Sequence, residues 1–183
     1  MKELSLNILD IAENSVKAKA PLTQILLTET EDLLTIEIID NGCGMTGDVV
    51  KRVTDPFYTT RTTRKVGLGI PFFKMEAEQT GGTFEIESKA EAEYPEDHGT
   101  KIKATFHKDH IDFIPLGNVI STVTTLIQGH PDSDFLFRHA FPTGTASLDT
   151  REIRNELGGG VSLAEYEVIK WIEEYLKEQY QSI

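Results

Sequence analysis

The stretch from Leu33 to Gly47, LLTIEIIDNGCGMTG, constrains this chain more than any other. Leu34, Ile36 and Ile38 alternate with Thr35 and Glu37, the period of a strand with one face buried. The strand ends at the carboxylate of Asp40, and the chain then breaks into glycines at Gly42 and Gly44. A charged acceptor thus meets main chain that lacks Cβ atoms, an arrangement suited to a ligand with hydrogen-bond donors and a flat or anionic surface.

The segments around it give the order of elements. Leu4, Ile8, Ile11, Ala12 and Val16 recur at helical spacing, predicting a helix over residues 3–19 that stops before Pro21. Its opposite face is unusual in carrying amides and acid, because Asn7, Asp10, Asn14 and Lys17 fall on one polar stripe. Strands over 23–28 and 34–39, joined across Glu31 and Asp32, form an expected antiparallel hairpin. A short helix over 48–53 precedes DPFYTTRTTRKVGLG, residues 55–69, which has neither helical nor strand period and reads as a long functional loop. A helix over 70–80, stopped by Gly81 and Gly82, and strands over 83–88 and 100–107 complete this region.

From Ile111 the composition changes, and residues 111–183 read as a mostly helical appendage to a domain of residues 1–110. A helix over 116–127, extended segments over 135–141 and 145–148, and two final helices are expected there. Asp149 with Glu152, and Ser162 with Glu165, fit capping-box spacing, and Val168, Ile169, Ile172, Tyr175 and Leu176 form one buried stripe of the last helix.

Composition excludes several classes. With 183 residues, of which 39% are hydrophobic and 26% charged, the chain can bury a core and is globular. No apolar run approaches the roughly 20 residues of a membrane span, and Glu3, Asn7 and Asp10 are unlike a cleavable signal, so a cytoplasmic protein without a membrane association is expected. A net charge of −12 argues against a nucleic-acid surface. The single cysteine, Cys43, rules out an internal disulfide and a cysteine-only metal or iron–sulfur site.

Gly42, Gly44 and Gly47 satisfy a literal GxGxxG, but the dinucleotide context fails, because the next helix is short and no acidic strand end follows at the required distance. No phosphate loop of the GxxxxGK type occurs either. Taken together, LDIAENSVKAKA, DNGCGM, DPFYTTR, and VGLGI followed by GGTFEIES and GTKIKATF instead resemble, in order and over residues 1–107, the ATP-binding domain shared by gyrase B, ninety-kilodalton heat-shock chaperones, sensor histidine kinases and mismatch-repair ATPases. This is the Bergerat, or GHKL, fold, and the loop and glycine segments are most similar to its histidine-kinase branch. The whole chain also resembles small stand-alone bacterial ATP-binding proteins related to those kinases.

The resemblance implies an α+β, two-layer sandwich: a mixed, largely antiparallel sheet covered by helices on one face. It implies ATP and Mg2+ as cofactors. Asp40 would accept a hydrogen bond from the adenine amino group, with Gly42, Gly44 and Met45 against the base, and guanine would present a carbonyl oxygen to the same carboxylate. Asn14 would ligate magnesium, and Lys17 would contact phosphate or ribose. Thr59, Thr60, Arg61 and Lys65, with Arg64, would close over the triphosphate, amides of Gly67, Leu68 and Gly69 would meet anions at a helix start, and Thr100 would bind through a water. Asp10 stands where many relatives carry a catalytic glutamate, one methylene longer.

None of the five histidines, at 98, 107, 110, 130 and 139, precedes the ATP domain on a helical hairpin, so a phosphoacceptor in cis is not expected. The expected function is therefore a phosphotransferase acting in trans on a protein partner, with an ATP-switched binding module or slow ATPase as the alternative, and a homo-oligomer is compatible with the last helix. A structural adaptor with a decayed site is the reading without a nucleotide.

Overall fold

The computed structural model describes residues 3–55, 69–158 and 160–183. Among them, helices α1 (Leu4–Lys17), α2 (Gly47–Val53), α3 (Gly69–Gln79), α4 (Val119–Gly129), α5 (Thr150–Leu157) and α6 (Tyr166–Gln181) accompany strands β1 (Leu22–Glu29), β2 (Leu33–Asp40), β3 (Phe84–Lys89), β4 (Gly99–His107), β5 (Asp134–Phe141) and β6 (Gly144–Asp149). The strands make one sheet in the order β3-β4-β2-β1-β5-β6. Every neighbouring pair is antiparallel except β1 with β5. The expected hairpin forms between β1 and β2, with Thr23 opposite Asp40 and Glu29 opposite Leu34.

Alternation decides which face is covered. Ile25, Ile38 and Ile102 lie in one row across β1, β2 and β4, with Leu27, Ile36 and Ala104 in the next, and all six are buried. The opposite face carries Glu37 between Lys101 and Lys103, at 3.5 and 3.3 Å, a polar surface that needs no cover. The helices form one layer on the apolar face, α1 packing between α3 and α4, and α4 between α1 and α6. The α+β sandwich is the expected one, a mixed sheet of six strands beneath the helices.

Residues beyond 110 enter this sheet and this core. The β5 strand continues the sheet from β1, and the core cluster runs without a break from Leu4 and Phe73 to Val123, Phe137, Ile172 and Leu176. Main-chain bonds from Leu4 and Ser5 to the carbonyls of Pro115 and Leu116 tie the start of α1 to the same segment. Local details differ from the periodicity. Asp149 caps α5 by accepting from the Arg151 amide, whereas the Ser162–Glu165 pair closes a turn ahead of α6, which begins only at Tyr166. Val168, Ile172 and Leu176 are buried, but Tyr175 is 40% exposed, because the stripe they share is wider than the surface beneath it.

A buried polar cluster closes the Glu29 end of β1. His139, 1% exposed, has Nε2 3.1 Å from the Glu29 carboxylate and Nδ1 2.8 Å from the Tyr180 hydroxyl. Lys108 Nζ donates to Glu29 at 2.7 Å and to the Thr30 carbonyl at 2.9 Å. These donors, His139 first, overcome burial and hold the Glu29 carboxyl down at about 2, so it is ionised and His139 donates to it through Nε2. Burial and the Glu29 charge raise the Tyr180 hydroxyl above its ordinary value, which leaves it protonated to donate to Nδ1.

Candidate functional site

The other end of β1 and β2 is built around Asp40, the last residue of β2. Its Oδ2 accepts from Ser15 Oγ of α1 at 2.8 Å, and its Oδ1 accepts from the Gly42 amide at 2.9 Å. Two donors thus fix the plane of the carboxylate and leave its remaining lone pairs for another group. Thr100 lies directly opposite on β4, and its hydroxyl is 2.9 Å from Ser88 Oγ on β3. Ser88 in turn bonds the Met45 amide and the Gly99 carbonyl, at 2.8 and 2.9 Å, which fixes the loop after Asp40 against the sheet. His98 Nδ1, 2.6 Å from the Gly42 carbonyl, holds the same loop from the other side.

The glycines are required by the protein's own packing. Gly44 has φ of +62°, and a Cβ there would stand 1.9 Å from the Lys89 carbonyl oxygen. At Gly42 a Cβ would lie 2.8 Å from Ala18. Side chains at either position would push the loop off β3 and α1.

The polar stripe of α1 divides. Asn7 is fully buried and donates through Nδ2 to the buried Glu76 carboxylate of α3, a structural contact. Asp10, Asn14 and Lys17 are open to solvent to different degrees, and their side chains make no bond to a described residue. Asp10 sits against the start of α3, with Oδ2 3.5 Å from where a Gly69 Cβ would be. The structure therefore brings Asp10, Asn14, Lys17, Asp40, Gly42, Gly44, Met45, Gly69 and Thr100 to one end of the sheet. Thr59, Thr60, Arg61, Arg64, Lys65, Gly67 and Leu68 lie outside the described residues. Asp40, Ser88 and Thr100 line a concavity of about 160 Å3, and Lys17, Gly42, Cys43, Glu91 and His98 line one of about 470 Å3.

Four residues at this end escaped the sequence reading. Ser15 is 3% exposed, one position from Asn14 but turned inward toward Asp40, and only the geometry of α1 against β2 shows it. Ser88 ends GGTFEIES and pairs with Thr100, a relation legible once β3 and β4 are aligned as a hairpin. His98 lies in the acidic loop before β4. Thr23, opposite Asp40 on β1, is 1% exposed, and its Oγ1 has no hydrogen-bond partner among the described residues. A buried hydroxyl costs about 1–3 kcal/mol when unsatisfied, so an orphan beside Asp40 fits a site that receives a polar ligand or a bridging water.

Residues 2–110 match the family described as Histidine kinase-, DNA gyrase B-, and HSP90-like ATPase. The chain belongs to that family. This ATPase domain is 32% identical over 76 residues to a probable C4-dicarboxylate sensor kinase of Bacillus subtilis (strain 168), a match covering 42% of this chain and 14% of that protein. Among solved structures, the Aquifex aeolicus MutL ATPase domain complexed with ADP aligns with a TM-score of 0.53 over 98% of this chain and 70% of its own, at 12% identity. The N-terminal domain of a DNA repair protein aligns with a TM-score of 0.59 over 87% of this chain and 58% of that one, again at 12% identity. Those two likenesses concern the fold, and they take in strands and helices beyond residue 110. Family membership implies ATP binding. No helix among the described residues is long and apolar enough to cross a membrane.

Proposed function

We propose that this domain binds ATP with magnesium at the Asp40 end of the sheet and transfers the γ-phosphoryl group to a protein in trans. The observation that carries the reading is Asp40 itself, a half-buried carboxylate held by Ser15 and Gly42 beside a Thr23 hydroxyl with no partner among the described residues. Its free lone pairs suit an amino group and repel the carbonyl oxygen that guanine would offer, which favours ATP over GTP.

The protein's oxygens fit magnesium as a shared ligand. No cluster of three or more His, Cys, Asp or Glu side chains that could hold a metal occurs among the described residues. Magnesium is commonly held by one or two protein oxygens with waters and phosphate oxygens, and the Asn14 amide oxygen, which has no bond to a described residue, is proposed as one of them. Bound there, the ion would neutralise charge on the triphosphate. Lys17, one turn along α1, adds a cation to the same stripe, and Thr59, Thr60, Arg61, Lys65 and the amides of Gly67 and Leu68 belong to the proposed phosphate cover.

Asp10 is the proposed base. In transfer to a hydroxyl, the acceptor oxygen bonds the γ-phosphorus as the bridging bond to ADP breaks, and Asp10 takes the hydroxyl proton. Asp10 is solvent-exposed at the start of α3, open to an incoming acceptor. Its short side chain, seated against Gly69, also supports a second reading, an ATP-switched binding module or slow ATPase with no kinase activity. Incubation of the domain with labelled ATP and a cell extract separates the two. A phosphoprotein whose labelling vanishes in Asp40→Asn and Asp10→Asn supports transfer in trans; ADP formation or nucleotide-dependent pull-down without any label supports the switch.

A further inference from the structure

We propose that the groove between α5, α6 and the end of β6 receives a basic, amphipathic helical segment of a partner protein. Trp171 and Tyr175 would take its apolar face, and Glu152, Glu156 and Glu167 its cations. Trp171 is the chain's one tryptophan and is 47% exposed. One turn along α6 Tyr175 stacks on it, with ring centroids 5.0 Å apart and planes 11° from parallel. Such a rigid aromatic pair offers a large contact area at little entropic cost. Neither ring is buried in the core, which takes Val168, Ile172 and Leu176 from α6.

The pair borders two adjoining concavities, of about 320 and 370 Å3, which share Ile153, Glu156 and Trp171. Every charged residue lining them is acidic: Asp149, Glu152, Glu156 and Glu167. Asp149 is engaged by Arg151. The nearby Arg154 is turned to Asp134 and to the carbonyls of Pro131 and Ser133. Glu152, Glu156 and Glu167 have no ion-pair partner among the described residues. An apolar floor beneath unpaired acids of one sign is complementary to a helix with an apolar stripe flanked by Lys and Arg.

The same charges argue against a second copy of this chain, which would set acid against acid across a two-fold axis. They also leave strand addition disfavoured at the groove, because the Gln179 side chain already bonds both the amide and the carbonyl of Ser147 on the edge strand, at 2.9 and 3.0 Å. β1 and β5 separate β6 from β2, and the groove shares no lining residue with the concavities at Asp40, so this surface does not depend on the nucleotide reading.

The lone tryptophan supplies the measurement. The full chain is titrated with a synthetic 18-residue helix bearing Leu on one face and Lys and Arg on the other, with Trp171 emission read and dye-labelled peptide anisotropy as a second readout. A saturable blue shift is expected, together with affinity at least tenfold weaker for E152Q/E156Q/E167Q and for W171A, and no saturation by the same peptide with Glu in place of its cations. All three glutamates are surface residues, and a thermal melt confirms that each variant is folded. Equal affinity in the parent and both variants, or no saturation by the basic peptide, overturns the proposal. So does a concentration-dependent dimer abolished by W171A in sedimentation, which would make a second copy the occupant.

Discussion

The two ends of the β1–β2 hairpin each carry an acidic residue, and they use it in opposite ways. At one end Glu29 is enclosed, with His139, Lys108 and, through the imidazole, Tyr180 accounting for its oxygens, so that four side chains tie β1, β5, α6 and the end of β4 together. At the other end Asp40 is positioned by two donors and then left with acceptor capacity, beside a Thr23 hydroxyl and the side chains of Asp10, Asn14 and Lys17, none of which bonds a described residue. A closed polar cluster stabilises a fold, and an open, pre-positioned one has use only when something binds. The distinction separates structure from function without reference to residue type, since both ends are rich in acids and hydroxyls.

The comparison predicts a double dissociation. The largest effect is at Asp40. Asp40→Asn should weaken ATP binding about 10- to 100-fold, the equivalent of a lost charge-assisted hydrogen bond, while leaving the melting temperature nearly unchanged. Glu29→Gln should do the reverse, costing about 2–3 kcal/mol of stability in a urea melt, because a buried imidazole and an ammonium lose their anion, with ATP affinity retained. Equal losses of stability and affinity in both variants would dissolve the distinction.

The pH profile sharpens it. The folded Glu29 carboxyl, at about 2, lies below its ordinary value of 4.5. A depressed carboxylate pKa gives stability that is fully present above the ordinary value and is lost as pH falls from there toward the folded one. Urea melts between pH 6 and pH 2 should show the parent losing stability below about pH 4.5, and Glu29→Gln should show a flatter profile. Parallel profiles would place the acid sensitivity elsewhere.

Smaller effects are expected at the two hydroxyls that flank Asp40. Ser15→Ala should reduce ATP affinity by about fivefold, since one neutral donor to the carboxylate contributes roughly 1 kcal/mol. Thr23→Val removes an unsatisfied hydroxyl, so stability should hold or rise while ATP affinity falls a few-fold. If Thr23→Val leaves nucleotide affinity unchanged, its hydroxyl has no part in the site.

Much of this was readable from the sequence for a physical reason. Period-2 and period-3.6 patterns report which face is buried, and they located the strands and the first four helices to within a few residues, including the β1–β2 hairpin on which both acids sit. Asp40, Gly42 and Gly44 were legible because a carboxylate and missing Cβ atoms at a strand end are local facts. What the pattern could not carry was long-range pairing. Nothing in the run from Ile111 announces that β5 will lie parallel beside β1, because a strand buried among others looks alike whichever neighbour it takes. Asn7 shared the stripe of Asp10 and Asn14 in sequence, yet α3 covers it and supplies Glu76 as its partner. Ser15, Thr23 and Ser88 gained meaning only from residues far along the chain, and His139 from Glu29 and Tyr180. Spacing identifies faces, whereas the partners of those faces come from topology.

The most direct test is calorimetric titration of the domain with ATP, in the presence and absence of magnesium, for the parent, Asp40→Asn, Asn14→Ala and Glu29→Gln. The predicted result is saturable, magnesium-enhanced binding of ATP over GTP, a 10- to 100-fold loss in Asp40→Asn, loss of the magnesium enhancement in Asn14→Ala, and parental affinity in Glu29→Gln. Parental ATP affinity in Asp40→Asn, in a protein that melts normally, would contradict the assignment of this end of the sheet as the nucleotide site.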